Sequence, residues 1–363
     1  MEQRERAMAG MVNMILDFYS YKKVFVTGHT GFKGAWLCTI LCMAGAEVTG
    51  FALPPEELSL CRIIRLEEKM NSVHGDMRDL EALRCAFDAA KPEIVLHLAA
   101  QPIVRESYRD PVGTYASNVM GTVHILECVR QSGCVRSFLN VTTDKVYQNR
   151  QWPWGYRETD VLNGFDPYAN SKSCSELVTD SYRNSFLADK GVAVSTARAG
   201  NVIGGGDFAA DRIIPDCIRA VCAGRPIQLR NPHSVRPYQH VLEPLSAYLL
   251  IAQRQYENSD LAGSFNVGPD SSGCLTTGAL SELFCQTWGE GARWEHTGQQ
   301  GPHEDTVLKL DCSKIGAVLG WRPRWDVERA VRETVDWTKA WIDGQNIPDY
   351  MERHIRGYFN EPV

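Results

Sequence analysis

None of the twelve cysteines in this 363-residue chain stands in a C-x-x-C pair, so neither the usual zinc-ligand spacing nor a redox-active dithiol is present. They read as reduced, mostly buried, small apolar residues, and a cytoplasmic compartment is expected. No apolar run approaches the roughly 18 residues of a membrane span. Near the N-terminus, acidic and polar residues stand where a signal peptide has its apolar core. Positive charge is also short. Lys and Arg number 38 against 44 Asp and Glu, a net charge of −6, which argues against nucleic acid or an acidic membrane as the main partner. No internal repeat or low-complexity segment is visible.

What the chain does have is a composition, 44% hydrophobic and 23% charged, able to bury one large domain with a smaller appendage. Residues 1–21 precede the first clear strand and receive no function. From Lys23 the pattern alternates. Val24-Phe25-Val26 is a buried-strand run, followed by Gly28-His29-Thr30-Gly31-Phe32-Lys33-Gly34 and an apolar helical stretch. Strands follow at Glu47 to Phe51, Ser72 to His74, Ile94 to Leu98, Ser137 to Val141 and Val192 to Arg198, with helices between them, notably Val112 to Gln131 and one running from Tyr168 toward Asp189. Near-continuous apolar strands separated by helices predict a doubly wound, Rossmann-type parallel α/β sheet with a smaller C-terminal substrate-binding domain. The expected division is 22–202 for the dinucleotide-binding domain, with 238–268 returning to it, and 203–237 plus 269–350 for the substrate domain. Gly204-Gly205-Gly206-Asp207 reads as a flexible connection between them.

Ligands of such folds bind outside the carboxyl ends of the strands. The glycine loop, Asp76, Ala99-Ala100-Gln101, Thr143-Asp144 and Gly200-Asn201 all fall there. The glycines allow a tight turn and close approach of a pyrophosphate to the following helix N-terminus. At Asp166-Pro167-Tyr168-Ala169-Asn170-Ser171-Lys172, Pro167 suits the first position of a helix, which puts Tyr168 and Lys172 on one face. An unperturbed phenol titrates at about 10, and the lysine is expected to make Tyr168 acidic enough to serve as a base. Thr143 adds a hydroxyl for a substrate alcohol. Asp144 adds a carboxyl that simple alcohol oxidation does not need. Lys145 is either a second base or a lysine that lies on the surface or orients Asp144. Adjacent strand residues point to opposite faces, so Asp144 and Lys145 reach one substrate only if the chain turns at the strand end.

Glycine loop, Asp76, Leu98-Ala99-Ala100-Gln101, Asn118, Thr143 and Tyr168-x-x-x-Lys172 together resemble the extended short-chain dehydrogenase/reductase family. More narrowly, Thr142-Thr143-Asp144-Lys145-Val146-Tyr147, Arg198 to Asp207, Arg236 to Pro244 and Pro302-His303-Glu304 look like its nucleotide-sugar 4,6-dehydratases, in particular the CDP-glucose branch. The resemblance implies NAD held by Gly28, Thr30, Gly31, Phe32, Lys33, Gly34, Asp76, Met77, Leu98, Ala99, Ala100, Gln101, Asn118, Tyr168 and Lys172. It implies catalysis by Thr143, Asp144, Lys145, Tyr168 and Lys172, and a homodimer seam built from the two long helices.

The remaining residues carry two readings each. Asp76 contacts an adenine amino group or is a solvated turn residue. Asn118 braces the site helices or is an ordinary helix-interior polar residue. Asn201, Arg212, Arg230 and Arg236 suit the pyrophosphate of a nucleotide-sugar substrate, since arginine pairs with phosphate through two charge-assisted bonds, though Arg212 and Arg230 equally suit the surface. His303 joins this set through its motif. Trp152 and Trp154 stack on a ligand or cover a core edge, and His97 reads as a core histidine. At the end of the second strand, Gly50-Phe51-Ala52-Leu53 supplies neither the acid that holds an NAD ribose nor an arginine for an NADP phosphate. Lys33 favours NADP if it lies near that ribose, whereas the resemblance favours NAD. Presence of Tyr168, Lys172 and Thr143 argues against a catalytically silent dinucleotide-binding protein.

Overall fold

In the computed structural model, which describes residues 15–270, 273–298 and 307–361, the run around Val24-Phe25-Val26 becomes β1 (Lys23–Thr27), near the middle of the main sheet. The Rossmann half continues with α1 (Phe32–Met43), β2 (Glu47–Ala52), β3 (Asn71–His74), α2 (Leu80–Ala90), β4 (Ile94–His97), α3 (Val104–Arg109), α4 (Pro111–Tyr115), α5 (Gly121–Gln131), β5 (Ser137–Thr143), α6 (Pro167–Tyr182) and β6 (Ala193–Ala199). The rest comprises β7 (Asn201–Ile203), α7 (Ile213–Cys222), β8 (Ile227–Leu229), β9 (Val235–His240), α8 (Leu242–Glu257), β10 (Ser264–Val267), β11 (Cys274–Thr276), α9 (Thr277–Trp288), β12 (Trp294–His296), α10 (Ser313–Leu319), α11 (Val327–Ile342) and α12 (Ile347–Asn360).

Seven strands form one sheet in the order β10-β6-β5-β4-β1-β2-β3, all paired in parallel. All residues of β5 and β6 are buried, because helices cover both faces, and this is why those strands read as unbroken runs instead of alternating. One face packs on Trp36, Leu37 and Leu41 of α1, Leu245 and Leu249 of α8, and Met351 and Ile355 of α12. The other packs on Leu83 and Phe87 of α2 and Ile125, Leu126 and Val129 of α5. Strand order reverses between β1 and β4, so the loops that follow them part and leave a crevice. A third core of Ile203, Ile214, Leu280, Phe284, Val331 and Val335 supports two small sheets, β11-β9-β7 and β12-β8.

Several expectations change. The helix expected over 112–131 is interrupted by a π-helical stretch at Ala116–Met120, where Asn118 turns its amide inward. The glycine run before Asp207 is not a flexible connection. A Cβ on Gly204 would sit 2.8 Å from Val241 Cγ1, and one on Gly205 only 2.0 Å from the Trp337 ring. These glycines are required by close packing, and Trp337 is a core residue, 1% exposed. The chain also continues structurally past 350, since α12 buries Met351, Ile355, Tyr358 and Phe359. Tyr19, expected to lie in an extension, is fully buried and donates to the Leu249 carbonyl at 2.7 Å.

Candidate active site

The end of β5 resolves how two adjacent residues face one place. Asp144–Val146 forms a 3-10 turn directly after the strand, and Thr143 Oγ1 accepts from the Lys145 backbone N–H at 3.5 Å. The turn brings Lys145 Nζ to 3.0 Å from Asp144 Oδ1 and 3.3 Å from Asn201 Oδ1. Asp144 is wholly buried, and its Oδ1 also accepts from the Thr143 hydroxyl at 3.0 Å. Its other oxygen, Oδ2, has no hydrogen-bond partner. A buried carboxyl with one free oxygen thus stands beside a lysine amine.

Tyr168 comes from α6. Asp166 caps this helix by accepting from the Ala169 N–H at 2.9 Å, and Pro167 occupies its first turn. The Tyr168 phenol hydrogen-bonds Thr143, which joins it to the β5 turn. Its acidity departs from expectation. Burial pushes the phenol up to about 12, against the lowering effects of the Thr143 bond and the nearby Arg212 charge. Lys172 does not oppose this, for its Nζ donates to the Val141 carbonyl at 3.1 Å and burial lowers its own pKa to about 8. Desolvation outweighs the charge pairing that the spacing implied.

Behind Lys172 lies a buried network absent from the sequence reading. Glu176 Oε1 accepts from Thr142 Oγ1 at 2.5 Å, while Oε2 accepts from Thr196 Oγ1 at 2.7 Å and Arg198 Nη2 at 2.9 Å. Arg198 Nη1 donates to the Tyr147 hydroxyl at 2.9 Å, and Tyr147 donates to Asn266 Oδ1 at 2.6 Å. This chain ties α6, β5, β6 and β10 together beneath the site. A glutamate one turn beyond the Tyr-x-x-x-Lys pair was the available signal.

The glycine loop fits an anionic dinucleotide. Gly28 has φ +78°, and a Cβ there would be 2.8 Å from the Ala99 nitrogen, whereas Gly31 is exposed and a Cβ there would only touch the Gly28 carbonyl oxygen at 3.5 Å. The α1 N-terminus has no side-chain cap and no acidic residue in its first turn, so its N–H groups are free for phosphate oxygens. Lys33 is held down to about 7, first by burial and then by Arg212 and Lys172, with Asp144 opposing. These neighbours place Lys33 at the catalytic centre and remove its use as an NADP ribose contact at the β2 end. Asn118 is a brace. Its Oδ1 accepts from the Gln101 N–H at 2.7 Å, and its Nδ2 donates to Gln101 O and Ser171 Oγ at 3.1 and 2.9 Å, which leaves its amide spent on protein. Asp76 receives Arg78 at 2.6 Å, which lowers its pKa, and the Met77 carbonyl bonds the His124 ring at 2.8 Å. His97 bonds Thr27 and Thr122 inside the core.

On the substrate side, Arg212 pairs with Asp207 at 2.9 Å, and Arg230 lies 3.9 Å from Asp211. Asp211 also receives Arg105 of α3 at 2.9 Å, a residue the sequence reading passed over. Arg236 is buried and donates to its neighbour's carbonyl, Val235 O, at 2.9 Å, apart from this cluster. His303 lies outside the described residues. Trp152 packs on Trp154 and Tyr156 over a small core containing Val146 and Leu308. Among the described residues no group of His, Cys, Asp or Glu has the arrangement of a metal site.

The model of the family described as GDP-mannose 4,6 dehydratase matches residues 25–334. CDP-glucose 4,6-dehydratase of Salmonella typhimurium is 48% identical over 351 residues, spanning 95% of this chain and 98% of that protein. The dTDP-glucose 4,6-dehydratase of Xanthomonas campestris is 25% identical, over 88% and 94% of the two chains. Among solved structures, a Thermus thermophilus UDP-glucose 4-epimerase in complex with NAD superposes with a TM-score of 0.74 at 26% identity, covering 86% of this chain and 97% of that one. A dTDP-glucose 4,6-dehydratase from Streptomyces venezuelae shares the fold with a TM-score of 0.75 at 24% identity, over 89% and 98%.

Proposed function

Since the chain belongs to the GDP-mannose 4,6 dehydratase family of nucleotide-sugar enzymes, we propose that it is an NAD-dependent lyase converting CDP-glucose to CDP-4-keto-6-deoxyglucose and water. The substrate follows the Salmonella relative, similar over nearly the full length of both chains. The cofactor follows the epimerase that holds NAD on this fold and the open, uncapped glycine loop. The observation that carries a dehydration, and not oxidation alone, is the buried Asp144 with a free Oδ2 and Lys145 Nζ at 3.0 Å. An epimerase has no step that uses this second acid and base.

The chemistry that NAD supplies when bound is reversible hydride storage between carbon 4 and carbon 6 of the sugar. Tyr168 accepts the proton of the 4-hydroxyl, with Thr143 holding the oxygen. The raised phenol pKa makes the charge of Arg212 part of that step, since it favours the phenolate. The 4-ketone acidifies the hydrogen on carbon 5, and Lys145 is placed to remove it. Asp144 donates a proton to the 6-hydroxyl, which leaves as water. Carbon 5 then regains a proton, so one solvent-derived hydrogen enters the product. Gly28, Gly31 and Gly34, with Thr30, Phe32 and Ala99, hold the cofactor pyrophosphate and its neighbourhood, while Asn201, Arg212, Arg230 and Arg236 serve the substrate.

Residues 22–202 and 238–268 form the cofactor domain in this reading, supported by β10 in the main sheet, and 203–237 with 269–350 form the substrate domain. The enzyme is a cytoplasmic homodimer. Free thiols at all twelve cysteines suit a reducing compartment, and exposed Val112, Met120, Leu177 and Phe186 on or beside the two long helices suit a helical seam. The test is mass spectrometry of the protein with NAD and separately CDP-glucose, dTDP-glucose, UDP-glucose and GDP-mannose, in ordinary and deuterated water. Loss of 18 mass units, roughly one water, from CDP-glucose with one deuterium gained and no net NADH is expected. Loss from another sugar corrects the substrate, and no change with any of them overturns the reading.

A further inference from the structure

Asp211, like Asp207, places a carboxylate among the arginines on the substrate side. Its carboxylate sits between two guanidinium groups from opposite walls, Arg105 on α3 at 2.9 Å and Arg230 just after β8 at 3.9 Å. The next residue, Arg212, is near enough to Tyr168 and Lys33 to shift both. All three partners remain partly open, with 28%, 27% and 31% of the Arg105, Asp211 and Arg230 side chains exposed. Asp211 also takes a left-handed backbone, φ +61°, which costs a non-glycine residue free energy. A strained residue contributing one negative charge to two arginines at a cleft mouth is an arrangement that a better anion can displace.

We propose that Arg105 and Arg230 form a clamp for the diphosphate of the substrate, and that Asp211 is its exchangeable counter-ion in the free enzyme. The proposal rests on the nucleoside-diphosphate-sugar reading above. A diphosphate offers at least two negative charges and several acceptor oxygens, so each guanidinium gains a paired contact that a single carboxylate shared at 2.9 and 3.9 Å does not give. Arg105 joins this clamp from α3, the helix that follows β4, and so links substrate entry to the wall that carries Ala99, Ala100 and Gln101. Arg212 keeps its own carboxylate, Asp207, and lies outside the exchange.

The experiment is calorimetric binding of CDP, CMP and cytidine to the NAD-loaded enzyme and its variants, with UDP, GDP and dTDP run in parallel. Arg105→Gln is expected to raise the Kd for CDP about tenfold, the value of one charge-assisted phosphate contact, and to leave cytidine unchanged. Asp211→Asn keeps a residue tolerant of the left-handed backbone while removing the charge. It is expected to lower the Kd for CDP about three- to tenfold and to weaken its dependence on chloride. Thermal melting establishes that each variant folds, and Arg105→Lys, which keeps charge but not paired geometry, is expected to fall between wild type and Gln. Weaker binding in Asp211→Asn, or an unchanged ratio of CDP to CMP affinity in both Arg105 variants, overturns the clamp. If another nucleoside diphosphate binds in place of CDP and shows the same variant pattern, the clamp stands and only the nucleotide reading fails.

Discussion

Replacing Glu176 with Gln tests whether the buried network positions the catalytic lysine or only fills the core. The carboxylate makes three bonds at 2.5, 2.7 and 2.9 Å, and both members of its pair with Arg198 are almost fully enclosed, with 2% and 3% of their side chains exposed. An amide carries no charge, so Arg198 is left uncompensated, and the amide's donor group forces a threonine hydroxyl to turn and accept in place of donating. Breaking a buried pair from one side costs about 3–5 kcal/mol, a large share of the roughly 5–15 kcal/mol that holds a typical domain folded. Denaturant unfolding at fixed protein concentration reads this directly. The second readout is the pH profile. Burial lowers Lys172 to about 8, and Glu176 is the charge that opposes the lowering. Because the folded pKa lies below the ordinary value of about 10.4, the unfolded chain binds more protons between the two, and stability contributed at this site rises with pH across that window. Without Glu176 the lysine loses its proton at lower pH, so the basic limb of kcat/KM moves down and the window widens at its acidic end. A variant whose stability falls by less than about 1 kcal/mol, the size of an ordinary substitution, with an unmoved basic limb, refutes this account.

Lys145→Ala is expected to abolish solvent deuterium entry at carbon 5, and Asp144→Asn to allow that exchange while blocking loss of water, each with turnover reduced about 10²–10⁴-fold; exchange by Lys145→Ala at the wild-type rate removes the lysine as base. Gly205→Ala places a methyl group 2.0 Å from the Trp337 ring and is expected to destabilise by about 1–3 kcal/mol through overpacking, whereas a flexible linker would tolerate it in the same denaturation assay. Leu177→Glu, at a side chain 57% exposed on α6, is expected to halve the mass seen by light scattering, and an unchanged dimer places the seam elsewhere.

The parallel sheet was legible because burial on both faces leaves an unbroken apolar run at each strand, and because the chemistry-bearing residues follow those runs. Position along the chain was therefore enough to gather Thr143, Tyr168, Lys172 and the glycine loop at one edge. Direction was not. Whether Lys145 faces Asp144 depends on a 3-10 turn of three residues, which no periodicity marks. Glycine misled for a related reason: the same residue serves where the backbone needs freedom and where a neighbour leaves no room, and Gly205 against Trp337, 132 positions away in the chain, is the second case.

Charge was the least legible property, since its effect depends on partners brought together by the fold. Tyr168 and Lys172 share a helix face as their spacing requires, yet the lysine turns to the Val141 carbonyl and burial raises the phenol to about 12. The four-residue spacing alone therefore does not make the tyrosine acidic. Arg105 shows the converse. Nothing around it in sequence distinguishes it from a surface arginine, and its meaning comes from Asp211, 106 residues away, held in a left-handed backbone by the chain between β7 and α7. For both residues the free protein carries a compromise, burial against ionisation at Tyr168 and a strained carboxylate between two arginines at Asp211. On the proposed reading an anionic substrate relieves the second compromise by taking over the arginines, while at the first the Tyr168 phenolate takes up the proton of the 4-hydroxyl in the opening step.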